Sequence, residues 1–352
     1  MKQVNDYISF KTEKLECENL YKKFWIFGCH KEEIKNNKDY IILKIYDFEV
    51  VIYNDNGNIV AFYNLCPHRG AKLLNFGNNE SIFKSNGEIK CFYHHWTYKN
   101  QKLSIPMKTE FEQNEKFDLF KLKLDFCGDF IFFSHNPKYN LKDQLKGFYE
   151  ELEQISKSID RFNGLNAPIN YRSNWKIGIE NSLEIYHVGC VHPKSLGILD
   201  LEDSPKFIGF NSKTCGKIEN EKIYSKLKGN QTIFLKDNYF EDKYFSYHLF
   251  PFTIISSTFG YAYSIQNYFP HTFNKTHFIS RNYIAKAKHD VELFANEVIS
   301  MNKAIFNEDA QATNLVQGSL FLDDLKFHYA RNLEKRILYF HEQYEKAMKG
   351  KE

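Results

Sequence analysis

Hydrophobic positions change their period several times along the chain, and the changes divide it. From Tyr40 to Phe62, YIILKIYDFEVVIYNDNGNIVAF strings β-branched and aromatic residues together and is broken by NDNG, a strong hairpin signal. A second β-rich run, KLKLDFCGDFIFFS at 121–134, closes this region. Over 140–162, apolar residues fall at helical spacing beside charged faces, which predicts a helix and a boundary near 138–165. NWKIGIENSLEIYHVGCVHP, 174–193, predicts a helix to about Tyr186, with Gly189 and Pro193 as breakers. A strand-rich meander follows in FTIISSTFGYAYSIQNYF and HFISRNYIAKAK, then helices at 289–317 and 329–348.

Composition narrows this picture without changing it. With 352 residues the chain has room for two cores, and 43% hydrophobic with 26% charged residues is ordinary for a folded globular protein. The net charge of +3 and the lack of basic runs interleaved with aromatics argue against a nucleic-acid partner. The opening MKQVNDYISFKTEKLE has no apolar core of a signal, and no apolar run reaches the roughly 18 residues of a membrane span, so a cytoplasmic protein with no membrane partner is expected. Seven scattered cysteines, an odd number, do not form a disulfide framework and suit a reducing compartment.

Two of those cysteines form a pair of short Cys–His motifs on separate loops. LCPHRGAKLL and CFYHHW place Cys66 with His68, and Cys91 with His94, on two loops 22 residues apart from His68 to Cys91. Structural zinc is one reading, but zinc sites usually pair like ligands with two to four residues between them. A Rieske [2Fe-2S] centre needs two thiolates on one iron and two imidazoles on the other, which mixed pairs supply.

Further along, His187 and His192 offer two imidazoles, and spacing alone also allows them to be core and surface histidines. A carboxylate would complete a mononuclear iron site, with Glu308, Asp309, Asp323 and Asp324 as candidates. Asp309 falls on an apolar helix stripe with Val298, Met301, Ile305, Ala312 and Val316, where a carboxylate asks for a cation. His187 and His192, five apart, share no helical face, so the helix must end or distort near Gly189 for both to meet one metal. Glu184, three before His187, is placed to accept that histidine's free ring N–H. Trp175 and Tyr186 read as core.

CPHRG followed by CFYHHW resembles the cluster motif of the Rieske non-heme iron, or ring-hydroxylating, oxygenases, with His95 where that family usually has glycine. NWKIGIENSLEIYHVGCVHP and EDAQATNLVQ, with Asp309 eight residues before Gln317, are similar to the same family's iron segments. The resemblance implies an α+β protein: an antiparallel Rieske domain at 20–138 and a catalytic domain at 139–352, a curved antiparallel sheet on a long helix, with 1–19 an extension packing on the latter. It implies a terminal oxygenase subunit with a [2Fe-2S] cluster on Cys66, His68, Cys91 and His94, and Fe(II) on His187, His192 and Asp309. Asn181 would lie close to the iron, and Glu184 would bridge to His94 of a neighbouring subunit in a homotrimer. Electrons would come from a separate NAD(P)H-dependent reductase or ferredoxin, and O2 would oxidise a small organic substrate by hydroxylation or demethylation. The alternative is a Rieske electron carrier or sensor with a degenerate second domain.

Overall fold

The computed structural model describes residues 4–350 apart from 75–81, 113–114, 116, 167–168, 235–241, 290–291 and 323. The first half builds a seven-stranded antiparallel sheet in the order Ile26–His30, Phe130–Ser134, Lys121–Cys127, Asn58–Tyr63, Phe48–Asp55, Asp39–Ile45, Ile82–Asn86. NDNG forms one of its two-residue turns: Asn56 and Gly57 both have positive φ, 58° and 88°, and Asp55 pairs with Asn58 across them. Two left-handed central residues match the twist of the flanking strands, which is why the Asn-Gly pair sits there. The run from Tyr40 also contains a second turn, at Tyr46, where φ is 52° and the backbone N–H donates to the Pro270 carbonyl at 2.5 Å. A small sheet of Ile89–Lys90, Thr97–Lys99 and Lys102–Ser104 joins this unit through an apolar cluster of Ile89 and Tyr98 with Ile42, Val51 and Phe62.

The second half is an eight-stranded antiparallel sheet whose central members are Asn211–Ile218, Tyr244–Leu249, Thr253–Thr258, Ala262–Thr272 and Lys275–Ala285. The helices Trp175–Ser182, Glu292–Ser319 and Lys335–Met348 complete it. The helix expected over 140–162 is two shorter ones, Leu141–Gln144 and Tyr149–Ser158, followed by the strand Ile159–Asn166. Gly147, at φ +77°, breaks it; a Cβ there would stand 2.5 Å from Ile208. Beyond Ser158, pairing with Lys275–Ala285 outcompetes helical spacing.

One apolar cluster runs through both halves, joining Ile41, Ile52 and Ile131 to Trp175, Phe252, Phe278 and Phe340. Buried charges pin the halves together. Arg281, fully buried, donates from Nε to Glu33 Oε2 at 3.3 Å and from Nη2 to the Gly28 carbonyl at 2.7 Å. Glu33 also accepts from the Tyr283 hydroxyl at 2.5 Å and from the His30 N–H at 3.0 Å, so every charge-bearing atom of the pair is engaged. The amino-terminal helix Phe10–Glu16 ends on a second such pair. Lys176 Nζ and Trp175 Nε1 donate to Glu16 at 2.5 and 2.9 Å, which fastens residues upstream of the first sheet to the helix that leads into the second constellation.

Removing one member of a buried pair leaves the other charge uncompensated. Arg281→Leu is therefore expected to lower the unfolding free energy by about 3–5 kcal/mol in urea titrations. The double replacement Glu33→Leu/Arg281→Leu should recover most of that loss, and a single variant as stable as the parent contradicts the assignment.

Candidate metal centres

The two cysteine loops are built alike. In each, the residue four after the cysteine takes a left-handed conformation and returns its N–H to the cysteine carbonyl: Gly70 to Cys66 at 2.9 Å, His95 to Cys91 at 2.8 Å. The cysteine N–H in turn donates one residue further on, Cys66 to Ala71 at 2.7 Å and Cys91 to Trp96 at 2.8 Å. Gly70 adopts φ +72° freely; His95 adopts φ +57° at a cost of roughly 1–2 kcal/mol. This explains why glycine suits the position that histidine fills here.

These matched turns bring the side chains into two pairs. His68 and His94 face each other through Nδ1 at 3.2 Å, close to the roughly 3.3 Å expected of two nitrogens on one tetrahedral metal. Burial pushes the Cys66 thiol up, the His68 backbone N–H pulls it down, and the adjoining Cys91 thiol pushes it up again. Two buried sulfurs beside each other and two imidazoles beside each other fit the donor set of a [2Fe-2S] group. The Trp96 indole lies flat against His68, centroids 5.0 Å apart and 7° from parallel, and fixes the ring plane. Asn64, which sequence reasoning missed, ties the first loop down: its Oδ1 accepts from the Leu73 and Leu74 N–H groups, and its Nδ2 donates to Glu49 and the Leu74 carbonyl. No local pattern marks that asparagine. Its role appears only when both ends of the loop converge.

The second constellation grows from the helix Trp175–Ser182. Asn174 caps it by accepting from the Lys176 N–H, and Gly178 lets it press on the Tyr268 ring, where a Cβ would lie 2.5 Å from the ring edge. The helix stops at Ser182, earlier than expected, and Gly189 lies inside a second helical turn, Val188–Val191, rather than breaking one. The cause is Glu184. Its carboxylate accepts the His187 backbone N–H at 3.0 Å, capping the new turn, and also bonds His187 Nδ1. His187 and His192 then flank one short turn, rings 5.2 Å apart. Tyr186 points outward, 64% exposed, and is not core; Trp175 is.

Asp309 comes from the helix Glu292–Ser319 to meet them. Its Oδ1 is 2.9 Å from His192 Nε2, 3.6 Å from His187 Nε2 and accepts from Asn181 Nδ2 at 2.8 Å. One donor atom from each of His187, His192 and Asp309 lies within 4.8 Å of the other two. Glu308 stands behind, its Oε2 2.7 Å from His192 Nδ1, as Glu184 stands behind His187. Two imidazoles held from outside by carboxylates, with their Nε2 atoms turned to a third carboxylate, match the way proteins orient metal-binding histidines. The set fits a ferrous ion with positions left open. Asp323 lies outside the described residues. The stripe on the long helix is rotated from its expected course: Met301 and Val316 are exposed, and Asp309, Thr313 and Gln317 continue the buried face from Ile305 and Phe306.

The electrostatics call for a cation. Burial pulls His187 down, but hydrogen bonds to Asp309 and Glu184 outweigh it and raise its pKa to about 9. Burial pushes Asp309 up, and the two histidines more than reverse it. A divalent ion replaces the protons those groups otherwise retain. Beside the triad opens a cavity of about 390 Å³, lined by Asn181, Tyr244, Tyr261, Gln266, Asn302 and Phe306 among others.

With this geometry in view, comparisons with known proteins agree on a family. Residues 151–350 match the ring hydroxylating alpha subunit catalytic domain, and residues 24–110 match the Rieske [2Fe-2S] domain. The chain belongs to the ring-hydroxylating oxygenase alpha-subunit family, whose catalytic domain binds mononuclear iron. It is 32% identical over 195 residues to the carnitine monooxygenase oxygenase subunit of Acinetobacter baumannii, covering 53% of this chain and 51% of that protein. It is 31% identical over 193 residues to the anthranilate 1,2-dioxygenase large subunit of Acinetobacter baylyi, covering 51% and 40%. The chain thus spans about half the length of the curated relatives it matches. In structure it is similar to a quaternary ammonium Rieske monooxygenase (TM-score 0.79, 21% identity, 99% of this chain and 95% of that one). It also resembles naphthalene 1,2-dioxygenase from Rhodococcus sp. (TM-score 0.77, 16% identity, 98% and 93%).

The strain at His95 has a direct check. His95→Gly is expected to raise stability by up to about 1 kcal/mol, seen as later loss of cluster absorbance on heating; earlier loss would refute the strain.

Proposed function

We propose that this chain is a terminal oxygenase component that oxidises a small organic substrate with O2. The observation that carries this reading is the coexistence of two separate donor sets in one chain, a paired Cys2His2 set and a two-histidine, one-carboxylate set. An electron carrier has no use for a buried carboxylate between two imidazoles, and a zinc-stabilised binding module would account for the first set alone. Cys66, Cys91, His68 and His94 hold the [2Fe-2S] cluster, and His187, His192 and Asp309 hold ferrous iron. The cluster supplies single electrons and the ferrous ion supplies the site where O2 is reduced.

The chain's own residues do the remaining work. Glu184 and Glu308 hold the two imidazoles with Nε2 inward, and Asn181 fixes the Asp309 oxygen, so the site keeps its shape through turnover. The cavity places substrate beside the triad and limits its size. Electrons come from a separate NAD(P)H-dependent reductase or ferredoxin; the 352 residues themselves carry no nucleotide-binding glycine motif.

The surfaces around the two sites support assembly as a homotrimer in which one subunit's cluster feeds the next subunit's iron. Phe92 and Tyr93, at the tip of the second cluster loop, are 85% and 54% exposed, and Tyr186 beside Glu184 is also exposed. In that packing His94 of one chain approaches Glu184 of another, and the carboxylate joins the two rings in one hydrogen-bonded path. Among the described residues no helix is long and apolar enough to cross a membrane. None of the seven cysteines is disulfide-bonded, which suits the cytoplasm.

The test supplies the reconstituted protein with NADH, a generic reductase and ¹⁸O2, across methylated amines and aromatic acids. At least one product should carry label, and Glu184→Gln should slow cluster reoxidation with that substrate by about 10–100-fold while leaving both metal centres intact. Absence of label in every product, or unaltered reoxidation in the variant, would count against oxygenation or against the bridge respectively.

A further inference from the structure

The wall of the cavity opposite the long helix is unusually polar. Thr214 pairs with Ser246, Ser246 with Ser256 and Ser256 with Ser264, on four successive strands. Directly opposed residues share one face of a sheet, so these hydroxyls form a row, and all four line the cavity that also holds the triad. An arene-binding floor would be apolar here.

Arg336 reaches the same cavity from the helix Lys335–Met348. It is only 2% exposed. Its guanidinium has five N–H donors, of which Nε bonds the Ser212 hydroxyl and Nη2 the Ser246 carbonyl, each at 3.2 Å. Both acceptors are neutral. Among the described residues no carboxylate forms an ion pair with it. Asp203, which lines the same cavity, acts on it only at longer range and already accepts from the Thr214 hydroxyl. The Ser246 hydroxyl, next to the carbonyl that Arg336 grips, faces the Tyr244 phenol across the same cavity. A buried cation with open donors awaits an anion.

We infer that the substrate carries a carboxylate, which pairs with the Arg336 guanidinium and accepts from the Ser246 hydroxyl while the rest of the molecule lies toward His187, His192 and Asp309. The inference rests on the oxygenase reading for the word substrate, though not for the binding site. One charge is available. Burial and then Arg336 drive His248 down to about 3, so this histidine adds no second cation, and Asp203 opposes a dianion. A planar monoanion such as a carboxylate matches the guanidinium fork with a single charge, where a phosphate would bring a second. Burial pushes the Tyr244 phenol up, and Arg336 and the Ser246 hydroxyl pull it down, so this phenol shares the polar wall with the guanidinium.

The test is calorimetric binding to the holoprotein without O2 or reductant, using matched probes: benzoate against benzamide, and trimethylglycine against its methyl ester. Each acid should bind at least about tenfold more tightly than its uncharged-carboxyl counterpart. Arg336→Met should erase that preference with cluster absorbance unchanged. Should that variant fail to fold, Asp203→Asn, which removes the opposing charge, should strengthen the preference about threefold. Equal binding of acid and counterpart, or no binding of either acid at about 10 mM, overturns the inference. Because nothing turns over in this experiment, a protein that prefers acids yet oxidises none would overturn the oxygenase reading and leave this one standing.

Discussion

The buried Asp309 carboxylate is the constraint around which the catalytic half is arranged. An isolated carboxylate in that position is too costly to hold ionised, and the structure surrounds it with two imidazoles and an amide donor. Those partners need fixed orientations, so each imidazole is held from behind by another carboxylate, Glu184 or Glu308. Holding His187 through both its ring and its backbone N–H is what ends the preceding helix and starts a new turn. Local backbone geometry is thus subordinate to the charge balance of the triad.

A second balance holds the halves in register. The Glu33–Arg281 and Glu16–Lys176 pairs are fully desolvated, and each carries additional hydrogen bonds from neighbouring aromatic groups. Neither pair is an efficient source of stability compared with apolar packing, but each penalises any displacement of one half against the other. In the two cysteine loops the cysteines are buried, and the second loop carries exposed Phe92 and Tyr93 at its tip. Rigid connection at the base and exposure at the tip are what the proposed electron exchange between chains would require.

The parts of this arrangement that were legible in the sequence are local. The two Cys–His spacings and the Asn-Gly turn each report on a few adjacent residues whose backbone geometry they dictate. The helix stripe pointed to Asp309 because a carboxylate among apolar residues is conspicuous, but its course was misjudged where polar Thr313 and Gln317 take over the buried face. Glu184 is visible in the sequence as a partner of His187 but its capping of the turn is not, so helical spacing alone runs the helix on to Tyr186 and makes Gly189 a breaker. Glu308 looked like a rival for Asp309, when the structure gives the neighbours complementary roles on the same imidazole. The hydroxyl row, Arg336 and the Glu33–Arg281 pair arise from contacts between strands and helices far apart in the chain. Each is an ordinary residue in its own segment, and only the sheet register brings it to its place.

Metal and sulfide content, measured on anaerobically purified parent protein and on Asp309→Ala, tests the central claim most directly. The account predicts three irons and two acid-labile sulfides in the parent, one iron fewer with both sulfides retained in the variant, and the same reduced-cluster paramagnetic resonance signal in each. Stoichiometric zinc, or an iron content that Asp309→Ala leaves unchanged, would contradict it.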